Sequence, residues 1–242
     1  MRFAALALVA LLATPAAGAT TVTVLTTGSL TPAGKTLAAE FTQQTGTQVM
    51  FGGGRPNTII ADLKAGAAGD VVLLPSANFA APIPRIDPAS VRPVARIAIG
   101  VAVPQGAPLP DISTPEKFRE ALKAAKGVAY SDPAIGSSAG PVIAHILDGA
   151  AYAGVKRKPV RDVAISALAS GEADIALQMI TELRTAKTVQ LVGPVPEGVG
   201  AAVEFSAATV RGAPPEAAAF VRYMARPAAA AAWKKAGVIP VK

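Results

Sequence analysis

Short runs of β-branched residues alternate with alanine-rich stretches along the chain, and this alternation is the feature that most restricts its fold. The first half predicts strands at 22–25, 48–51 and 70–74, separated by helices at 30–44 and 58–65. A strand, helix, strand, helix, strand order of this kind places parallel strands side by side and covers them with helices. The sequence therefore predicts an α/β fold with a mainly parallel sheet.

A second unit of the same kind begins at a predicted helix start. Ser113 and Glu116 fit a capping box, and Pro115 lies in the first helical turn. The pattern then predicts one further strand and helix pair, followed by another helix and strand, at 128–130, 140–149, 162–170 and 174–177. The chain is therefore expected to hold two α/β units.

Two long apolar segments, 94–103 and 203–210, flank the second unit and are predicted to be strands that cross between two lobes. We expect two mainly parallel sheets, flanked by helices and joined by these two crossing strands. The predicted division assigns residues 20–97 and 206–242 to lobe 1, and residues 98–205 to lobe 2. Trp233 follows five alanines and is expected to anchor a terminal helix in the core.

The first nineteen residues have the pattern of a secretory signal peptide. Arg2 supplies a positive charge, an apolar run follows, and Ala17 to Ala19 is typical of a cleavage site. The apolar run is much shorter than the roughly 20 residues that span a bilayer, and without any cysteine no lipid can be attached through one. The sequence predicts cleavage after Ala19 and a periplasmic location.

The mature chain is predicted to be basic and to bind an anion. Without Arg2 the chain has 22 Lys and Arg residues against 16 Asp and Glu residues, a net charge of +6. A positive field of this size suits an anionic solute. Only three Tyr, seven Phe and one Trp are present, and no basic stretch is interleaved with aromatic residues, so nucleic acid is not expected as a partner.

Catalysis and metal binding have little support in the sequence. The segment from Gly136 to Gly140 fits the G-x-S-x-G pattern of a nucleophilic serine. However, the chain's one histidine, His145, follows Ser138 by seven residues on the same predicted helix, where it cannot act as the base. One histidine and no cysteine also argue against a transition-metal site. We therefore expect a binding protein that is not an enzyme and has no cofactor.

Four segments follow predicted strands and precede helices or turns: 26–29, 51–57, 131–140 and 178–182. In open α/β sheets the ligand lies beyond the carboxyl ends of the strands, where helix N-termini present unpaired N–H groups. These segments are rich in hydroxyl groups, glycines and backbone donors. This is the composition of an anion-binding cradle.

At these residues the chain resembles the periplasmic molybdate-binding proteins and the wider group of molybdate-like receptors. Residues 24–31 are similar to the first strand and turn of that family, residues 63–71 look like its Ile-Glu-Ala-Gly-Ala-Pro-Ala-Asp segment, and Ser131-Asp132-Pro133 matches its Gly-Asp-Pro turn. Ala139-Gly140 matches the helix start beyond that turn. The resemblance implies a two-lobed periplasmic-binding-protein fold.

The resemblance also implies a function: a monomeric receptor that captures a small anion and delivers it to an ABC permease in the inner membrane. Ser29 stands where the family has a donor serine, whereas the second serine is absent from the loop 55–58. The position of the family's tyrosine falls near Gln178 or Met179. The predicted ligand-binding residues are Thr27, Gly28, Ser29, Arg55, Asn57, Ser137, Ser138, Ala139, Val163, Gln178 and Met179.

The sequence leaves the ligand and three of these roles open. Molybdate or tungstate follows from the resemblance, whereas Arg55 favours bidentate pairing with a carboxylate or phosphate unless it points from the rim into water. Ser29 is a ligand contact, a helix N-cap or both, and Gln178 is a pocket donor or the cap of a strand end. A ligand-sensing module outside transport is the other functional alternative.

Overall fold

The computed structural model describes residues 20–241, and within them the predicted alternation of strands and helices is present. The strands are β1 (Thr21–Thr26), β2 (Gln48–Gly53), β3 (Val71–Pro75), β4 (Arg92–Pro104), β5 (Val128–Ser131), β6 (Arg157–Val160), β7 (Ile175–Met179), β8 (Val189–Pro194), β9 (Ala202–Thr209) and β10 (Ile239–Pro240). The helices are α1 (Thr31–Thr45), α2 (Pro56–Lys64), α3 (Pro115–Ala124), α4 (Gly140–Asp148), α5 (Ile165–Ala169), α6 (Ile180–Leu183), α7 (Pro215–Ala225) and α8 (Ala230–Lys235).

The strands form a mixed sheet in the order β2-β1-β3-β9-β4-β7-β5-β6, and β8 and β10 also pair with β4. Parallel pairing occurs in two groups, β2-β1-β3 and β7-β5-β6. Between them, β9 and β4 pair antiparallel with their neighbours. Of the two predicted crossing strands, β4 pairs with β9 through its first half and with β7 through its second half, whereas β9 pairs with β3 and β4. The division into two lobes stays a prediction.

Helix α1 follows its prediction closely. Leu37 and Phe41 are buried, and the helix ends at Gly46, whose φ of 75° is the left-handed conformation that favours glycine. Helix α1 packs against β2, where the ring of Phe51 lies so close to Gly34 that a Cβ on residue 34 would displace the ring. Helix and strand can approach this closely because position 34 has no side chain.

Three local predictions are corrected by the structure. The N-cap of α3 is Thr114 and not Ser113, because the Thr114 hydroxyl accepts from the Lys117 amide at 3.2 Å, whereas the Ser113 amide donates to Asp111 outside the helix. Helix α5 begins at Ile165 rather than at 162, since the preceding residues form an irregular loop. The predicted glycine turn after β2 is shorter, because Gly52 and Gly53 continue the strand.

The predicted signal peptide and its cleavage site after Ala19 lie outside the described residues. Within residues 20–241, no helix has both the length and the apolar character needed to cross a membrane.

Gly53 gives the first testable prediction. Strands β1 and β2 pair in register as far as Thr26 and Gly53, and a Cβ on Gly53 would overlap the carbonyl oxygen of Thr26. That oxygen accepts a hydrogen bond from the Gly54 amide at 3.3 Å. We expect Gly53→Ala to separate the strand ends and to lower the free energy of unfolding by about 1–3 kcal/mol, measured by urea denaturation.

Gly52→Ala is the matched control. A Cβ on Gly52 would meet the Leu25 side chain at 3.5 Å, an ordinary contact. An equal loss of stability in the two variants would show that glycine flexibility, and not the overlap with Thr26, sets the cost.

Candidate functional site

A cavity of ≈ 150 Å³ lies where the carboxyl ends of strands in both parallel groups meet the first turns of helices. All four segments predicted from the sequence contribute to its wall. The lining residues are Thr27, Gly28, Gly54, Arg55, Pro56, Ser131, Ile135, Ser137, Ser138, Ala139, Asp162, Val163, Gln178, Met179 and Glu182. The structure thus brings together residues that are as much as 155 positions apart in the sequence, between Thr27 and Glu182.

Nine of the eleven predicted residues line this cavity, and two do not. The nine are Thr27, Gly28, Arg55, Ser137, Ser138, Ala139, Val163, Gln178 and Met179. Their role as ligand contacts stays a prediction. Ser29 and Asn57 lie elsewhere, for different reasons.

Ser29 is buried behind the cavity wall, with 3% of its surface exposed. Its hydroxyl shares a hydrogen bond of 2.9 Å with the hydroxyl of Thr27, which does line the cavity. Leu30 is the N-cap residue of α1 and makes no side-chain capping bond, so Ser29 is not the cap either. Ser29 therefore supports Thr27, and the hydroxyl that reaches the cavity wall comes from its neighbour.

Asn57 lies in the first turn of α2 and packs against Gly136. Its side chain occupies the place that a Cβ on Gly136 would take, and its Oδ1 accepts from the Thr58 amide at 2.9 Å. Gly136 has a φ of 69°, a second reason for glycine at this position. Asn57 therefore closes the contact between α2 and the loop before α4, and does not line the cavity.

Arg55 is exposed at the rim of the cavity. Its guanidinium donates to the carbonyl oxygen of Arg161 at 3.2 Å, which joins the start of α2 to the loop after β6. Arg55 therefore lies on the rim and also lines the cavity. Its pairing with a carboxylate or phosphate stays a prediction. A carboxylate in the cavity would offer this guanidinium a stronger acceptor than a neutral carbonyl.

Backbone amides form the wall in front of α4. Among the described residues, the amides of Ser137, Ser138 and Ala139 have no hydrogen-bond acceptor. The Ser137 hydroxyl accepts from the Gly140 amide at 3.0 Å, which holds the turn. A Cβ on Gly140 would overlap the Ser131 carbonyl. The turn therefore presents three adjacent N–H donors at a helix N-terminus, an arrangement suited to an anion.

Gln178 and Glu182 form a hydrogen-bonded polar pair in the cavity wall. Gln178, at the end of β7, is 4% exposed. Its Nε2 donates to Oε2 of Glu182 at 2.7 Å, and its Oε1 accepts from the Ala164 amide at 2.8 Å. Burial raises the pKa of the Glu182 carboxyl, and the hydrogen bond from Gln178 opposes part of that rise. A raised pKa increases the affinity of the carboxylate for a proton, which suits a group that takes part in proton transfer.

Six lining residues were not selected from the sequence: Gly54, Pro56, Ser131, Ile135, Asp162 and Glu182. Glu182 stands in one of the four predicted segments, but nothing local in the sequence distinguishes it from the many solvent-exposed glutamates. Asp162 was assigned to a helix, and it lies in the loop before α5. Within residues 20–241 no three His, Cys, Asp or Glu residues are grouped so as to hold a metal ion.

Residues 22–239 match the model of a protein family described as bacterial extracellular solute-binding protein. The chain belongs to this family. The match covers nearly all of the described residues, and the expectation of a small-solute-binding protein is confirmed at this level. The predicted resemblance to the molybdate-like receptors is confirmed as well, because solved structures of that group share the fold.

Two solved structures illustrate the shared fold. The periplasmic molybdate-binding protein of Azotobacter vinelandii superposes with a TM-score of 0.65 at 20% identity, over 91% of this chain and 100% of that one. PEB3 of Campylobacter jejuni, with L-phospholactate bound, superposes with a TM-score of 0.66 at 17% identity, over 90% and 99%. These similarities confirm the α/β periplasmic-binding-protein fold expected for this solute-binding protein.

A curated relative corrects one expectation. Aconitate isomerase from a Pseudomonas species is 32% identical over 92% of this chain and 88% of its own length. That relative is an enzyme, so the prediction of a protein without catalytic activity is wrong. The sequence offers no serine or metal centre, but an enzyme can also transfer protons through a carboxyl group.

Proposed function

We propose that this solute-binding protein is an isomerase of a small unsaturated polycarboxylate, aconitate in the first instance, and that Glu182 transfers the proton. The observation that carries the proposal is the Glu182 carboxyl, which lines the cavity and whose pKa is raised by burial. The identity to an aconitate isomerase over nearly the whole chain supports the choice of substrate.

The size of the cavity favours an organic acid over a tetrahedral oxyanion. A volume of ≈ 150 Å³ has room for roughly ten water-sized groups, about twice the number of atoms in molybdate. A polycarboxylate also fits the donors, because Arg55 at the start of α2 and the amides of Ser137 to Ala139 before α4 both line the cavity. Carboxylates at the two ends of one ligand would thus each meet donors.

The chemistry requires only proton transfer. Aconitate has a methylene group between a carboxylate and a carbon–carbon double bond. Removal of a methylene proton by Glu182 leaves an anion that is delocalised over three carbon atoms, and the return of the proton to the far carbon moves the double bond. One C–H bond breaks and another forms, so neither an oxidant nor a reductant is needed.

The geometry of the product follows from how the substrate is held. The new double bond forms where the substrate had a single bond, so its cis or trans form is set by the conformation about that bond in the cavity. Arg55 and the free amides before α4 would fix this conformation and stabilise the negative charge that develops on the carboxylates. Glu182 suits both steps, because a raised pKa makes the carboxylate a stronger base and its acid form more available.

The proposal predicts that the purified protein interconverts cis- and trans-aconitate. Proton NMR in deuterium oxide follows both isomers in one sample and also detects exchange of the methylene protons with solvent. We expect interconversion from either isomer to the same final ratio, without any added cofactor.

Ligand stabilisation, measured in the same samples, distinguishes a polycarboxylate site from an oxyanion site. A ligand at about 100 times its dissociation constant adds roughly 2.7 kcal/mol to the free energy of unfolding. We expect aconitate to raise the melting temperature, and molybdate, tungstate and sulfate to leave it unchanged. Stabilisation by molybdate without any conversion of aconitate would overturn the proposal in favour of oxyanion binding.

The proposal also includes export directed by the segment 1–19 and a periplasmic location. We further expect a monomer that delivers solute to an ABC permease. Membership of the extracellular solute-binding family supports the location outside the cytoplasm.

A further inference from the structure

The Gln178 side chain connects two parts of the site through two short hydrogen bonds. Its Oε1 accepts from the backbone amide of Ala164, just before α5, at 2.8 Å. Its Nε2 donates to Oε2 of Glu182, in α6, at 2.7 Å. Gln178 is 4% exposed, so its amide group has little access to water as an alternative partner. Both bonds are therefore expected to persist.

The orientation of the Gln178 amide is determined by chemistry. A backbone N–H group can only donate, so the atom facing Ala164 must be the amide oxygen. The NH₂ group then faces Glu182 and has no lone pair to accept a proton. A rotated amide would place two donors against each other at Ala164 and two acceptors against each other at Glu182. The Ala164 backbone thus fixes which group Glu182 meets.

A donor at this place favours the ionised form of Glu182, because the hydrogen bond is stronger to a carboxylate than to a carboxylic acid. Burial acts in the opposite direction and raises the pKa of the Glu182 carboxyl. The charged groups that line the same cavity are Arg55, at the start of α2, and Asp162, in the loop after β6. The balance at Glu182 is set by burial and by Gln178.

From this geometry we propose that Gln178 is a positioning residue, which holds the Glu182 carboxyl in one orientation through an amide that the Ala164 backbone orients. The inference rests on the proposed function for its catalytic meaning. One oxygen of Glu182, Oε2, is occupied by Gln178. The other oxygen, Oε1, is not an acceptor in that bond, and we assign it as the atom that receives the substrate proton.

Gln178→Leu tests the inference, because leucine fills a similar volume without either hydrogen bond. With cis-aconitate as substrate, we expect kcat to fall roughly 10- to 100-fold, since a displaced catalytic group loses its alignment. KM is expected to remain close to that of the unchanged protein. The acid limb of the kcat/KM profile is expected to move to higher pH, because the contribution that lowers the pKa of Glu182 is lost.

A titration of the Glu182 carboxyl carbon by NMR gives a readout that does not depend on activity. Its signal is assigned by its absence from the spectrum of Glu182→Gln, and its pKa is expected to rise in Gln178→Leu. Gln178→Met, which is unbranched like glutamine, is the second variant should leucine prevent folding. Gln190→Leu on β8, outside the cavity wall, controls for loss of a glutamine.

An unchanged Glu182 titration in a folded Gln178 variant would overturn the inference. So would a kcat that returns to the unchanged protein's value once Glu182 is fully ionised at high pH. Absence of aconitate conversion in the unchanged protein would overturn the proposed function instead, and the titration would still decide whether Gln178 controls the carboxyl.

Discussion

Glu182→Gln is expected to lower kcat for aconitate isomerisation by roughly 10²- to 10⁴-fold, the usual contribution of a general acid or base. The amide keeps the size of the side chain but cannot take a proton. Substrate binding is expected to be affected less than kcat, because Arg55 and the free amides of Ser137 to Ala139 are unchanged. Initial rates measured by proton NMR, together with calorimetric binding of cis-aconitate, separate the two effects.

Glu197→Gln is the matched control, because Glu197 is exposed and lies outside the cavity wall. Full activity in Glu182→Gln would mean that another group transfers the proton. Asp162, the other carboxylate that lines the cavity, would then be the next candidate.

Glu182→Gln is expected to raise the stability of the protein although it lowers the activity. Burial raises the pKa of Glu182 above its ordinary value of 4.5, so the folded protein binds a proton that the unfolded chain has already released in the window above pH 4.5. Stability attributable to Glu182 is therefore fully present below that value and is lost as pH rises through the folded pKa. Glu182→Gln is expected to melt at a higher temperature than the unchanged protein at pH 7, and the difference is expected to narrow toward pH 4.

Trp233→Ala is expected to cost about 3–5 kcal/mol of unfolding free energy, the range for a large aromatic side chain removed from a core. Trp233 is 1% exposed in α8, and its Nε1 donates to the Met224 carbonyl at the end of α7 at 3.1 Å. At about 2–4 °C per kcal/mol, the melting temperature is expected to fall by roughly 6–20 °C in a thermal scan.

Two further variants, Trp233→Phe and Met50→Ala, serve as controls for the loss of stability expected in Trp233→Ala. Phenylalanine keeps much of the apolar contact but leaves the Met224 carbonyl without its donor, so an intermediate cost is expected. Met50 is 61% exposed, and its truncation is expected to change stability by less than about 0.5 kcal/mol. A Trp233→Ala protein as stable as Met50→Ala would show that α8 contributes little to the core.

The core anchored by Trp233 could be predicted from the sequence, because a large aromatic residue after a run of alanines in a helix has few alternatives to burial. The start of α3 could be predicted only to within one residue. Ser113 and Thr114 are both suitable capping residues, and in the structure it is the Thr114 hydroxyl that accepts from the Lys117 amide. The sequence pattern thus predicted where α3 begins but not which of the two residues caps it.

The candidate site shows the same division on a larger scale. Thr27 and Gly28 follow β1, and Ser137 to Ala139 precede α4, so their place at the carboxyl edge follows from the order of elements. Thr27 and Ser29 were both predicted to contact the ligand, but the structure places Thr27 in the cavity wall and turns Ser29 inward. Which of two adjacent hydroxyls faces a cavity depends on the twist of one turn, which a residue pattern does not describe.

The sequence by itself determined the alternation of strands and helices and the segments at the carboxyl ends of the strands, and it predicts a preference for an anion. These properties depend on neighbours a few positions apart, through hydrophobic periodicity, turns and helix N-termini. Only the tertiary structure decided that the Glu182 carboxyl bonds to Gln178 inside the cavity wall and that Arg55 bonds to the Arg161 carbonyl across 106 positions of sequence. Burial and long-range contacts arise from how whole elements pack, and that packing sets the solvation, and with it the pKa, of the Glu182 carboxyl group.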